Sequence, residues 1–220
     1  QNGDVTMKLP MQRIYPFLFI LTAPLLWFSF PSFDFSLFKA FPLVAWVALV
    51  PLLLSLRRER SFVRALAKSF ITGIISFAFL NGWMGAFGAG AEGGDVMIVS
   101  LLVPALAAVF ALKITLAEFI ARRLRRGSLV AFAAIWVAFD FISTLGNLAF
   151  PWNFLGYSQY PFTPVIQIAS LTGVYGVTFL IVLLNGAIAG LVESRLSTGT
   201  FCAPAFRRVL ATVALVGGVI

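Results

Sequence analysis

The sequence predicts an all-α polytopic membrane protein with about seven transmembrane helices, the last of them truncated. Three observations predict it. Of the 220 residues, 60% are hydrophobic and 11% charged, where a soluble domain carries about 25% charged and 45–50% apolar residues. The apolar residues gather in seven runs, and a helix crossing the hydrocarbon needs about 20 of them. The basic residues fall almost entirely in alternate gaps between those runs, the pattern of positive-inside loops.

Residues 1–14 read as an N-terminal tail and residues 15–220 as one transmembrane helical domain, cut within its last helix. Residues 1–6 precede Met7 and read as added upstream sequence. Lys8 and Arg13 ahead of an apolar run resemble a signal peptide, but FSFPSFDF follows where a small-residue cleavage site belongs, so the run is expected to stay as the first span. That span is Tyr15–Phe30 and the second is Phe41–Leu56. Both are short and hold prolines (Pro16, Pro24, Pro42, Pro51), which predicts kinked or shallow helices. The third, Ala65–Phe87, spaces Gly73, Ser76 and Gly82 for close helix contact.

The glycine-rich stretch Gly85–Asp95 reads as a flexible outer loop: it lacks the Lys-Ser/Thr of a phosphate loop, and its two acids repel phosphate. The fourth run, Val96–Ile120, includes Lys113 and Glu118 near its cytoplasmic end, where both are expected to snorkel to the interface. The fifth is Ser128–Leu148 and the sixth Val165–Leu191, with Gly186 and Gly190 again suited to packing. The seventh, Val209–Ile220, stops after about a dozen residues, short of the length of a span.

Fourteen of the sixteen Lys and Arg lie in the N-terminal flank and in the gaps after runs two, four and six, the first of these gaps running into run three as far as Lys68. The other gaps hold Lys39 with Asp34, Glu92 and Asp95. This alternation predicts a cytoplasmic N-terminus, a periplasmic continuation after Ile220, and an outer-face position for the segment between runs five and six. The runs RRERSFVR and ARRLRR therefore read as topology signals and anionic-headgroup contacts, and nothing interleaved with them argues for nucleic acid. The absence of histidine excludes Ser-His triads and most zinc sites within these residues, so no metal and no cofactor is expected. The single cysteine, Cys202, excludes an internal disulfide and has no neighbours that would make it a nucleophile.

The outer segment AFPWNFLGYSQYPFTP, Ala149–Pro164, carries no charge but three prolines and a glycine. Irregular backbone at membrane depth must be buried in protein or line a wet cavity. Trp152 and Tyr157 suit the headgroup layer, as an aromatic belt does. Asn153 and Gln159 add amide donors and acceptors that a belt does not need. Pro151, Trp152, Asn153, Gly156, Tyr157 and Gln159 are therefore the candidate substrate-binding residues, forming a rim for lipid. Asp140 lies deep in the fifth run with Trp136 one turn earlier on the same face. An acid there costs about 2.5–3.5 kcal/mol on insertion scales, so it needs an interior partner. Trp136 and Asp140 are the candidate structural support beneath the rim.

Several stretches together resemble the apolipoprotein N-acyltransferases of bacterial inner membranes. Phe28–Arg58 is similar to that family's opening hairpin. WVAFDFISTLGNLAFPWNFLGYSQ, Trp136–Gln159, resembles its membrane motif: a Trp, an acid four residues on, then Phe-Pro-Trp and Gly-Tyr. PVIQIASLTGVYGVTFLIVLLNGAIA, Pro164–Ala189, resembles the following span. The family commonly places Arg where this chain has Ser143, so Asp140 must pair otherwise or carry a proton.

The resemblance implies transfer of an acyl chain from a phospholipid to the amine of a diacylglyceryl-cysteine lipoprotein. It also implies a nitrilase-like outer domain with a Glu-Lys-Cys triad, none of which can lie within residues 1–220. On this reading the chain positions phospholipid donor and diacylated lipoprotein acceptor in the bilayer, anchors the catalytic domain, and is inactive alone. A noncatalytic lipid-binding scaffold and a small-molecule transporter are the rival readings. The transporter would want several buried charges, where only Asp140 clearly qualifies.

Overall fold

The computed structural model describes residues 14–30, 41–82, 94–124, 127–146, 149–198, 200 and 202–219, without the side chains of 94–99, 198 and 219. The glycine-rich outer loop through residue 93, most of the N-terminal tail and the C-terminal end of the third apolar run lie outside them. The described residues are all helical and irregular, with no strand among them. Three helices are long and apolar enough to cross a membrane: Phe62–Asn81, Ser100–Arg123 and Ala169–Ser197. Three shorter apolar helical stretches, Tyr15–Ser29, Pro42–Arg57 and Ser128–Ile142, accompany them.

The chain opens with a 3-10 turn at Tyr15–Leu21 that runs into α1, Thr22–Ser29. A second 3-10 turn, Pro42–Trp46, precedes α2, Val50–Arg57. Pro16, Pro42 and Pro51 sit at the first positions of these pieces, where a missing N–H costs least. Breaking the helix leaves backbone groups that lipid cannot satisfy, and buried side chains from other elements supply the partners. Asn185 Oδ1 accepts from Leu49 N at 2.9 Å, and Asn185 Nδ2 donates to Ala45 O at 2.9 Å. Thr22 Oγ1 accepts from Leu52 N at 3.1 Å.

Helix α3, Phe62–Asn81, is capped by Ser61, whose side chain accepts from Arg64 N. Its main partner is α4, Gly94–Arg123. A Cβ on Gly73 would lie 2.9 Å from Ala107 Cα, so glycine is what lets these two backbones approach. Gly127, at φ 72°, turns the chain into α5, Ser128–Ile142. This helix ends earlier than the apolar run predicts. Ser143 and Thr144 hydroxyls donate back to Asp140 O and Phe141 O at 2.7 and 2.6 Å, and Gly146 takes φ 79°, so local bonding replaces the helix ladder.

After the aromatic loop and the single turn α6, Thr163–Ile166, comes α7, Ala169–Thr198, broken at Gly173 with φ 65°. Helix α8, Ala203–Val219, packs on α7. The core runs through α2, α4, α5 and α7.

One end of the bundle is held by a charge network. Arg57 pairs with Glu118 and Glu193, both at 3.4 Å, and Arg122 pairs with Glu118 at 3.1 Å. Arg122 also donates to Glu59 O at 2.9 Å and Leu56 O at 2.5 Å. Glu59 pairs with Lys68 and Arg64 at 3.1 Å each. Glu118 does not snorkel as expected: it is buried between two arginines, because a partner from α2 reaches it across the bundle. The aromatic loop lies at the opposite end, where Asn153 Nδ2 donates to Asn81 Oδ1 at the last residue of α3.

Candidate functional site

The loop from Ala149 to Phe162 is built by local constraints. Asn153 takes φ 64°, a left-handed conformation that Asn tolerates better than most residues. Leu155–Gln159 forms a 3-10 turn. Gly156 is required there: its N donates to Thr178 Oγ1 at 3.0 Å, and a Cβ would lie 2.7 Å from Val174 O. Tyr157 stacks on Phe154 with centroids 5.6 Å apart and planes 9° apart. Burial pushes the Tyr157 phenol above its ordinary value, and the proximity of Tyr175 and of the Asp140 carboxylate adds to this. Trp152 is 46% exposed and lies 5.5 Å from Phe150.

Gln159 plays a different part. It is fully buried, accepts from Trp46 Nε1 at 3.0 Å, and donates to Pro42 O and Ser158 Oγ at 2.8 Å each. Both amide N–H bonds and the carbonyl are thereby used. Gln159 ties the loop to the turn before α2, and Gly156 lies flat against α7.

Beside the loop is a cavity of about 700 Å³ between α3, α4, the end of α5 and residues 149–154. Phe77, Leu106, Phe110 and Phe139 line its walls, and Trp152 and Asn153 sit at its rim. Lys113 is the lining position of α4 furthest along the chain from Leu102, and Asp140, next to Phe139, is among the lining positions of α5 furthest from the loop. Lys113 Nζ donates to Asp140 Oδ1 at 2.6 Å and lies 4.1 Å over the Trp136 ring. Trp136 in turn meets Phe110 edge to face at 5.8 Å.

Lys113 therefore does not snorkel to the interface as its sequence position predicted. Asp140 lies at similar depth on the neighbouring helix, and pairing satisfies both charges where lipid would satisfy neither. The sequence held a signal for this pair. Lys113 is ten residues inside the Arg123 end of α4 and Asp140 twelve inside the Ser128 start of α5. Both then sit about 15–18 Å from the same end.

Of the predicted site residues, Trp152, Asn153 and Asp140 meet at the cavity, with Trp136 packed beneath Lys113. Pro151 sits half-buried next to them, Tyr157 is half-exposed against Phe154, and Gly156 and Gln159 are buried elsewhere. Lys113, Phe110 and Asn81 belong to the site and were not among the predictions.

A second cavity, of about 520 Å³, lies at the charged end and is lined by Arg57, Glu118, Glu193, Cys202 and Arg208. Among the described residues no group of His, Cys, Asp and Glu is arranged to hold a metal ion.

Residues 22–187 match the model of the apolipoprotein N-acyltransferase N-terminal domain. The chain belongs to that family. It is 37% identical over 172 residues to an apolipoprotein N-acyltransferase of Geobacter metallireducens, covering 76% of this chain and 31% of the relative. It is 30% identical over 188 residues to one of Haemophilus influenzae, covering 86% of this chain and 35% of the relative. Apolipoprotein N-acyltransferase 1 of Treponema denticola matches at 26% over 151 residues, 69% of this chain and 26% of the relative. The chain thus spans about a third or less of these relatives. The region matched to the family contains the cavity, its ion pair and the aromatic loop.

Proposed function

We propose that this chain is the lipid-handling membrane part of a bacterial apolipoprotein N-acyltransferase, an enzyme that moves an acyl chain from a phospholipid to the N-terminal amine of a diacylated lipoprotein. The observation that carries the reading is the 700 Å³ cavity with apolar walls and an aromatic, amide-bearing rim. Its wall residues Val109 and Leu112 are also part of the exposed apolar surface of α4. A lipid sliding in sideways keeps its tails out of water, where exposure costs about 0.8 kcal/mol per CH₂. Trp152 and Asn153 receive the lipid, Tyr157 extends the aromatic face, and Gln159, Gly156, Trp136 and Asp140 hold the loop and the cavity floor in place.

The charge network at the opposite end supports an inner-membrane orientation with the basic end in the cytoplasm. The cavity rim and the continuation of the chain then share the periplasmic side. The test is acyl transfer to a diacylated lipopeptide by the full-length enzyme. Trp152→Ala with Tyr157→Ala slows turnover about tenfold while folded protein is retained, and unchanged turnover defeats the reading.

A further inference from the structure

The cavity floor has hydrogen-bonding capacity that no described residue uses. Asp140 Oδ2 is buried and has no partner among the described residues. Lys113 has three N–H bonds, of which Asp140 Oδ1 takes one, and the Trp136 ring shields its other side. An orphaned acceptor beside an unspent donor, both 2–11% exposed on their side chains and both lining one cavity, is a site lacking its ligand.

The chemistry of that ligand follows from charge and depth. Asp140 and Lys113 neutralise each other, so an added charge finds no countercharge. Lys113 lies eleven residues along α4 from Leu102, the first lining residue of that helix, about 16 Å by helix rise. That is near the middle of the about 30 Å hydrocarbon layer, where a charged headgroup is expelled. A hydroxyl meets no such obstacle. It donates to Asp140 Oδ2 and accepts from Lys113 Nζ at once, and at this depth the surrounding lipid tails offer it no rival partner. The walls formed by Phe77, Leu106 and Phe110 are apolar and suit a hydrocarbon chain.

We propose that the cavity binds a neutral glycerolipid with a free hydroxyl, of the acylglycerol class, through the open valences of the Lys113–Asp140 pair. This rests on reading the cavity as a lipid site and adds a ligand that reaches its floor. The ligand is distinct from a charged phospholipid held at the rim.

The test uses the purified protein in nanodiscs, titrated with monooleoylglycerol or with methyl oleate, which has the same chain and no hydroxyl, and read by native mass spectrometry. Monooleoylglycerol binds about tenfold more tightly, the factor expected of one hydrogen bond to a charged group. Lys113→Met with Asp140→Leu removes that preference. Leu106→Trp, which fills the cavity, weakens both lipids. If Leu106→Trp weakens neither, the cavity is no lipid site, and the proposed function loses its main support as well. If it weakens both but the wild type does not distinguish the two lipids, the hydroxyl gains nothing at the floor and only this inference is overturned. Should a variant fail to fold, the wild-type comparison of the two lipids still decides.

Discussion

Replacing Lys113 by Met asks what the buried ion pair contributes. The substitution keeps most of the length of the side chain and removes its charge. Asp140, with 2% of its side chain exposed, then has neither oxygen paired among the described residues. Breaking a buried pair on one side costs about 3–5 kcal/mol. Hydrogen bonds between membrane helices average only about 0.6 kcal/mol, so most of that loss comes from the stranded carboxylate and little from the bond itself. The arithmetic therefore predicts a strongly non-additive pattern. Lys113→Met loses about 3 kcal/mol or more, while Lys113→Met with Asp140→Leu returns to within about 1 kcal/mol of the wild type, because apolar replacements of similar volume fill the site. Equilibrium unfolding in mixed micelles measures both. Equal losses in the single and double variants would mean that the stranded charge is not the cause.

Gln159→Leu leaves Trp46 Nε1 and the Pro42 carbonyl without the amide and lowers stability by about 1–3 kcal/mol; a thermal unfolding midpoint equal to wild type contradicts the tie described here. Gly73→Leu forces α3 from α4 at Ala107 and costs about 1–3 kcal/mol by overpacking, visible as a lowered unfolding midpoint, whereas Gly217→Leu, with open space around it, is tolerated. Glu59 reports on the charged end: burial alone would raise its carboxyl, but the hydrogen bond and charge of Lys68, the Ser61 backbone N–H and the charge of Arg64 together hold it below the ordinary 4.5. Its folded value is depressed, so its stabilising contribution is present above about 4.5 and fades as pH falls through the lower folded value. Glu59→Gln therefore weakens the protein near neutrality and flattens that acid loss; parallel acid limbs in wild type and variant would show that Glu59 contributes nothing.

Much of the helical plan was legible in the apolar runs because lipid leaves the chain few alternatives to helix. The prolines at positions 16, 42 and 51 signal kinked pieces, and the structure breaks both into a 3-10 turn followed by a short helix, since ring geometry acts locally. The early end of α5 at Ile142 was not legible, because Ser143 and Thr144 can stay in a helix or bond backwards, and only the following chain decides. The role of Lys113 escaped for another reason. Snorkelling is a property of one side chain, whereas pairing depends on the depth and rotation of a second helix 27 residues away. Gln159 shows the same limit: an amide in an aromatic loop reads as available, and its three partners lie on the loop itself and on a turn more than a hundred residues earlier.

A lipid chain entering the cavity between α3, α4 and α5 is what the proposed function requires above all. A phospholipid with a photoreactive group in its acyl chain, irradiated in membranes containing the protein and mapped by mass spectrometry, tests it directly. Phe110 and Phe154 line the cavity yet are only 5% and 4% exposed. Adducts on these two residues are predicted. Adducts confined to outward-facing positions such as Val63 and Leu210, with none on Phe110 or Phe154, would contradict it.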